Sequence, residues 1–423
     1  TSRLGNATYV DSNGLIKTAY RNFIVNTDLD NSWSSNNLTW SFQNVLNPFG
    51  EYNYVRETSH SANNQGIIYQ AFTIQTGTLS CYFKASGVDK VSLVAQAATT
   101  SLSKAISFDL LNGTIQGTYN NAQGSIENVG NGWYRCTVHS PDTAVQYIVI
   151  NPHNQSSVTF SISGRVTNTS SGGIYVYGPQ FVDSGTEAGE FTHNFGNTLS
   201  GPPRYSHDPD TLVPTGLYLE PAATQLFRIT SAYTSHWQDQ GTTSTNNSGI
   251  APDGTNTAKT VTQDTSSFNT HQFQRAFVCT TGNTYTYSVF LKKTNVDIIQ
   301  IGFNNNVGAD SSNARFNLSN GTIENEGNST VNATIKPYLN GWYRVSITNL
   351  ANEIGHRYVS IIFYTPTGGA GGIVFDGDGT SSFQMWGGQI EAGSYPTSYI
   401  YEGEPAMTRP ADTYTSTATT VLD

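Results

Sequence analysis

Charge is scarce in this sequence. Of 423 residues only 12% are Asp, Glu, Lys or Arg, and acids outnumber bases 30 to 20. A net charge of −10 without a single run of Lys or Arg offers no face for a phosphate backbone, which excludes nucleic acid and anionic membrane as partners. Long apolar runs are absent too: nothing approaches the ~18 consecutive residues of a spanning helix, so no membrane insertion is expected. Residues that build long helices are few, and no amphipathic pattern of about three turns occurs. Ser-His-Asp, HExxH and P-loop patterns are missing. Beginning at Thr1 with neither initiator Met nor signal peptide, the chain reads as trimmed or truncated at that end.

Cysteine is rare, at three residues. None has the spacing of a zinc site. Cys81 and Cys136 answer Val289 and Val345 in the repeat described below, so both read as buried free thiols on strands. A Cys81–Cys136 disulfide is the lesser alternative, and Cys279 has no partner in its own unit.

What is plentiful is aromatic residues, 12% of the chain, among Thr, Ser, Asn and Gly. That is a strand-and-turn composition, too aromatic for disorder. The chain also repeats itself. Gly132-Trp133-Tyr134-Arg135 returns as Gly341-Trp342-Tyr343-Arg344, 209 residues on. Phe108 to Leu110 and Asn112 to Ile115 answer Phe316 to Leu318 and Asn320 to Ile323, and Ser80 to Lys84 answers Ser288 to Lys292. Tyr177 to Gln180 answers Trp386 to Gln389, and Trp33 answers Trp237. The offset drifts from 204 to 209, as expected when loops change length and elements persist.

These patterns predict an all-β protein of two tandem antiparallel β-sandwich domains joined by an ordered Pro-rich strap. The expected boundaries are an extended lead over 1–22, a first module over 23–197, the strap over 198–227, a second module over 228–401 and a tail over 402–423. In the first module, strands are expected over 66–74, 78–84, 90–95, 105–110, 133–138, 146–150, 158–162 and 174–181. Each Gly-Trp-Tyr-Arg follows an Asn, a hairpin signal. Strand alternation puts Trp and Arg on one face and Tyr on the other. Trp33, Trp133, Arg135, Trp237, Trp342 and Arg344 are therefore read as structural, with the Trp anchoring the inter-sheet packing and the Arg stem lying over it.

Binding chemistry is sought among residues that the two modules do not share, since specificity resides in variable loops. Sugar recognition needs flat aromatic faces beside polar groups. Trp40, Tyr52, Tyr54 and His60 in the first module, and Phe268, His271 and Phe273 in the second, are the glycan-binding candidates. No catalytic residues are assigned. Asp208, Asp210 and Glu220 cluster in sequence, but they read as turn caps of the strap rather than a glycosidase pair, and His207 reads as a surface or interface residue. No cofactor is expected beyond a structural calcium ion at Asp376 and Asp378, whose Asp-Gly pairs also fit plain hairpin turns, the preferred reading. Sequons such as those at Asn37 and Asn328 are expected by chance at this composition.

The strap carries a resemblance. Pro203 to Pro209, then Thr215 to Leu226, resemble the strap of tailed-phage fibre and head-spike proteins with repeated carbohydrate-binding-module-like jelly-roll domains. Ala251 to Thr255, Asn340 to Arg344, Trp386 to Ser394, Pro396 to Ile400 and Thr408 to Asp412 are similar to the same family. The likeness is strong over 201–412 and looser in the first module, which reads as an extra copy inserted between lead and strap. Gln225 stands where the family has Asn. The first module also lacks the Thr-Ser-Tyr-Ile ending. The resemblance implies a non-enzymatic protein on the virion surface, a fibre, spike or capsid decoration, built as a homotrimer. Its expected partners are host cell-surface polysaccharide and other virion proteins. The alternatives are a secreted or cell-surface bacterial pair of carbohydrate-binding modules and, further off, a polysaccharide depolymerase using Asp208 and Glu220.

Overall fold

The computed structural model describes residues 7–20, 22–24, 27–29, 32–62, 64–184, 187–189, 191, 204–227, 237–304, 312–327, 332–351, 355–401 and 407–412. The sequon at Asn328, Pro203 of the strap, and residues 402–406 and 413–423 of the tail lie outside them.

The fold is all-β, in two antiparallel sandwich units with a jelly-roll-like layout. The described residues of the first unit lie within Ala19–Pro202, and the second combines Ala7–Thr18 with Pro203–Thr413. The second unit is thus discontinuous in sequence. Its earliest piece is a hairpin of the lead, Ala7–Val10 with Ile16–Ala19. Asp11 shapes the hairpin turn by accepting the amides of Asn13 and Leu15 at 2.8 and 2.9 Å.

Two strands dominate the first unit, Ile67–Ala85 and Trp133–His153. They pair along their whole length, from Trp133 opposite Lys84 to Ile150 opposite Ile68. Four of the expected strands are therefore two. The joins are marked by Pro141 and Gly77. The register shifts between Ser140 and Val145, where a bulge lets a strand with proline turn the corner between layers. At Gly77 an added Cβ would lie 2.0 Å from the Val182 carbonyl. The expected strand over 158–162 is not one: this stretch is irregular, with Phe160 packed on Tyr119 and the Tyr119 hydroxyl donating to the Ile162 carbonyl at 2.8 Å.

In the second unit the corresponding strands are broken, into Gln272–Cys279 with Thr284–Lys293 and Trp342–Leu350 with Gly355–Phe363. Two six-stranded sheets result. Each unit has a core of Val, Ile, Leu and Phe between its layers. The cysteines are buried and free. Cys81 faces Cys136 across the ladder as Val289 faces Val345, and burial pushes both thiols well above their usual pKa.

The repeated tetrad serves the same packing twice. Tyr134 and Tyr343 lie against the inter-layer cores. Each ring covers the glycine of an Asn-Gly-Thr turn, with Cε1 2.8 Å from where a Cβ would stand on Gly113 or Gly321. Trp133 and Trp342 are buried elsewhere, on the outer face of the sheet. Trp133 clusters with Tyr82 and Tyr177, and Trp342 with Phe290 and Trp386. This corrects the expectation that the Trp anchors the inter-sheet core: alternation puts Tyr there and sends Trp to the opposite side. The indoles donate to matching carbonyls, Leu46 at 2.9 Å and Ile250 at 3.1 Å. Arg135 and Arg344 stand over Tyr82 and Phe290, not over the Trp. Trp33 lies in the first core, and Trp237 stacks on Phe273 beside the second.

Candidate functional site

The seven glycan-binding candidates do not converge. His60, His271 and Phe273 are buried, so they offer no face to a ligand. Phe273 is the ring on which Trp237 stacks, 5.0 Å away and within 5° of parallel. His271 is fixed by the carbonyls of Gly241 at 2.5 Å and Phe375 at 3.2 Å. Burial lowers the pKa of His60, against a weaker opposing hydrogen bond to the Ser61 carbonyl. Trp40 packs against the first core, and its indole donates to the Leu29 carbonyl at 2.8 Å. Tyr54 is half-buried beside Trp133 and Tyr177. Tyr52 and Phe268 are the exposed pair, at 65% and 85%, one in each unit.

Asp378 caps its own turn, whereas Asp376 reaches across to another loop. Asp376 accepts the Phe268 amide at 2.8 Å. Asp378 accepts the amides of Thr380 and Ser381, both at 2.7 Å, and the Ser381 hydroxyl at 2.6 Å. Burial opposes ionisation of Asp378, but these donors outweigh it and hold its pKa at about 2. Among the described residues no group of three or more His, Cys, Asp or Glu is placed to hold a metal ion.

The strap is built around a buried cluster of four charges that its motif residues supply. Arg204 donates to Glu220 at 2.8 Å and to Asp412, and Arg409 lies 3.5 Å from Glu220. Arg204 also donates to the Thr8 carbonyl at 2.9 Å and the Ser398 hydroxyl at 3.0 Å. One guanidinium therefore ties the lead hairpin, the strap, the sandwich and the C-terminal segment. Burial works against the Glu220 carboxylate, but Arg409, the Ser398 hydroxyl and Arg204 prevail and hold its pKa below the ordinary value. Asp208 caps its own turn through the amides of Asp210 and Thr211, at 3.1 and 3.0 Å. Neither carboxylate is left over for acid–base chemistry.

Beside this cluster is a pocket of about 340 Å³, at the small end of the ~300–1,000 Å³ range of ligand sites. The lead hairpin contributes Tyr9 and Ile16, and the strap contributes His207 and Tyr218. Phe290, Lys336, Tyr338, Arg344 and Tyr399 come from the sandwich. The hairpin is seated by the Ile16 amide, which donates to the Pro252 carbonyl at 3.0 Å, and by Gly14 against Leu339 and Leu212. Gly14 has φ +75° and no room for a side chain. Burial, then the charge and hydrogen bond of Glu220, push the Tyr218 phenol well up; burial raises Tyr338 too, against the partly offsetting charge of Arg344. Both phenols therefore stay protonated at neutral pH. No Asp or Glu lines the pocket.

Sequence reasoning missed this site because its walls come from segments as much as 391 residues apart in the chain. The available signal was the strap itself, which is too rich in hydrophobic residues for a free linker.

No family model matches the chain, and no curated protein matches it. Among solved structures, the N-terminal CBM22-1-CBM22-2 tandem domain of Xyn10C from Paenibacillus barcinonensis aligns at 8% identity over 89% of this chain and 98% of that one, with a TM-score of 0.27. The vicilin from Solanum melongena aligns at 8% identity over 84% and 76%, with a TM-score of 0.12. Likenesses of this size carry no argument about what the chain does.

Proposed function

We propose that the chain is a non-enzymatic glycan-binding protein, a fibre, spike or capsid decoration of a phage virion, whose second unit holds the sugar. The observation that supports this reading is the pocket under the lead hairpin. Aromatic rings of Tyr9, Tyr218, Phe290, Tyr338 and Tyr399 surround it, with basic and hydroxyl groups between them. Flat apolar faces flanked by hydrogen-bonding groups suit a sugar ring. A glycosidase would need two carboxylates about 5–10 Å apart across the ligand, and the two nearest in the strap are engaged in the Arg204 cluster and a turn.

The virion assignment rests on the sequence resemblance, whose strap residues Arg204 and Glu220 and closing residues Arg409 and Asp412 are those of the buried cluster. The test is a glycan array probed with the full chain. Binding to a defined set of surface polysaccharide fragments is expected; a blank array would sink the adhesin reading. Light scattering checks the assembly, with a trimer of the 45.8 kDa chain expected. A monomer would remove the trimeric shaft and favour a free binding module.

A further inference from the structure

Most hydroxyls lining the pocket are already committed. Thr8 donates to the Tyr399 carbonyl at 2.6 Å, Thr215 to the Ser206 carbonyl at 2.8 Å and Ser398 to Glu220 at 2.6 Å. Tyr218 and Tyr338 are hydrogen-bonded to Glu220 and Arg344. What remains for a ligand is basic: Arg344, Lys336 and His207.

Arg344 is the telling residue. Its counterpart Arg135 gives its guanidinium to the carbonyls of Gly189 and Ala188, at 2.7 and 3.4 Å, besides Ser80. Arg344 keeps the equivalent bond to Ser288, at 3.0 Å, and the hydrogen bond with Tyr338. It has no carbonyl cap and no carboxylate partner among the described residues. The carboxylates nearby are spent: Glu220 and Asp412 on Arg204 and Arg409, and Asp208 on its turn. Lys336 lines the pocket; its pair with Asp208, at 3.6 Å and with more than half the lysine side chain in solvent, is an exposed one for which an anionic ligand can compete. A half-buried guanidinium facing a cavity without a counter-charge is the setting in which an anion gains a charge-assisted hydrogen bond.

We infer that the sugar bound here is acidic and that its carboxylate docks between Arg344 and Lys336, with the ring against Tyr218 and Tyr338. This rests on the glycan-binding reading above and narrows it to uronic-acid or sialic-acid polymers. A chain of net charge −10 would otherwise repel such polymers, so the cationic pocket also fixes where they can land.

The test uses the full chain on an array carrying neutral, uronate-bearing and sialylated oligosaccharides, followed by calorimetric titration with the best binder. Hits confined to carboxylated sugars are expected, with affinity falling as salt rises. Arg344→Gln and Lys336→Gln should each weaken binding by about tenfold or more, the size of one charge-assisted hydrogen bond. Lys293→Gln, a change at an exposed lysine outside the pocket, should leave it unaltered. Lys336 is on the surface, so its variant remains informative even if Arg344→Gln fails to fold. Equal binding of neutral and acidic sugars, or indifference to Lys336→Gln, overturns the inference and leaves the glycan reading standing. An array without hits removes both.

Discussion

Arg204 illustrates how a buried charge is tolerated. Its guanidinium meets Glu220 and Asp412 and is completed by Thr8 and Ser398. Removing one partner leaves the others uncompensated in a low-dielectric site. Glu220→Gln or Arg204→Met should therefore cost about 3–5 kcal/mol in urea unfolding. The pH sign follows from the depressed pKa of Glu220. Its contribution is fully present above the unfolded glutamate value of about 4.3 and is lost as pH falls through the lower folded value. Acid unfolding of wild type, followed by circular dichroism, should start below pH ~4, and the Glu220→Gln variant should show a shallower acid limb, the remainder belonging to other depressed carboxylates such as Asp378. At Asp378 three turn donors engage both carboxylate oxygens. The melting temperature should accordingly be the same in EDTA and in millimolar calcium; a rise with calcium would restore a metal at that turn. Residue identity alone misled at His271 and Phe273. Both looked like variable-loop aromatics, but Phe273 lies in the strand Gln272–Cys279 and His271 just before it, and both are buried.

At the level of elements, the repeat was the most legible feature, because a strand and the turn beside it must be kept together for either to pack. Gly113 and Gly321 show why. Both have positive φ, at +65° and +72°, and both support a tyrosine ring at the same distance. Gly113→Ala and Gly321→Ala should each destabilise their unit by about 1–3 kcal/mol through left-handed strain and collision with the ring. Similar losses in the two units would show one element used twice; a neutral result at either would break the equivalence. Alternation in Trp-Tyr-Arg correctly separated Tyr from Trp and Arg. It could not say which face was the core, since both faces carry aromatic clusters. The fused strands Ile67–Ala85 and Trp133–His153 were read as pairs because Gly77 and Pro141 resemble chain breaks. In fact they mark corners.

For the whole molecule, the all-β sandwich class was readable from composition and turn spacing, whereas the make-up of the second unit was not. Short-range patterns assigned the first residues to a lead, but Ala7–Thr18 belongs with Pro203–Thr413. The first unit is thus inserted between two pieces of the second, as domains often are where chain ends lie close. Replacing residues 19–202 with a short Gly-Ser linker should yield a folded second unit with a sharp thermal transition and the sugar affinity of the full chain. A molten product would show that the insertion contributes to that fold.

Arg204 joins Thr8 to Asp412, and this sets an order of events during synthesis. The described part of the first unit has been made once residue 202 has left the ribosome. The second cannot close its charge cluster until residue 412 emerges, so the nascent chain passes through the inserted unit while the enclosing one is still open. The Arg204 cluster, which needs Asp412, is the last part of the described molecule to be completed.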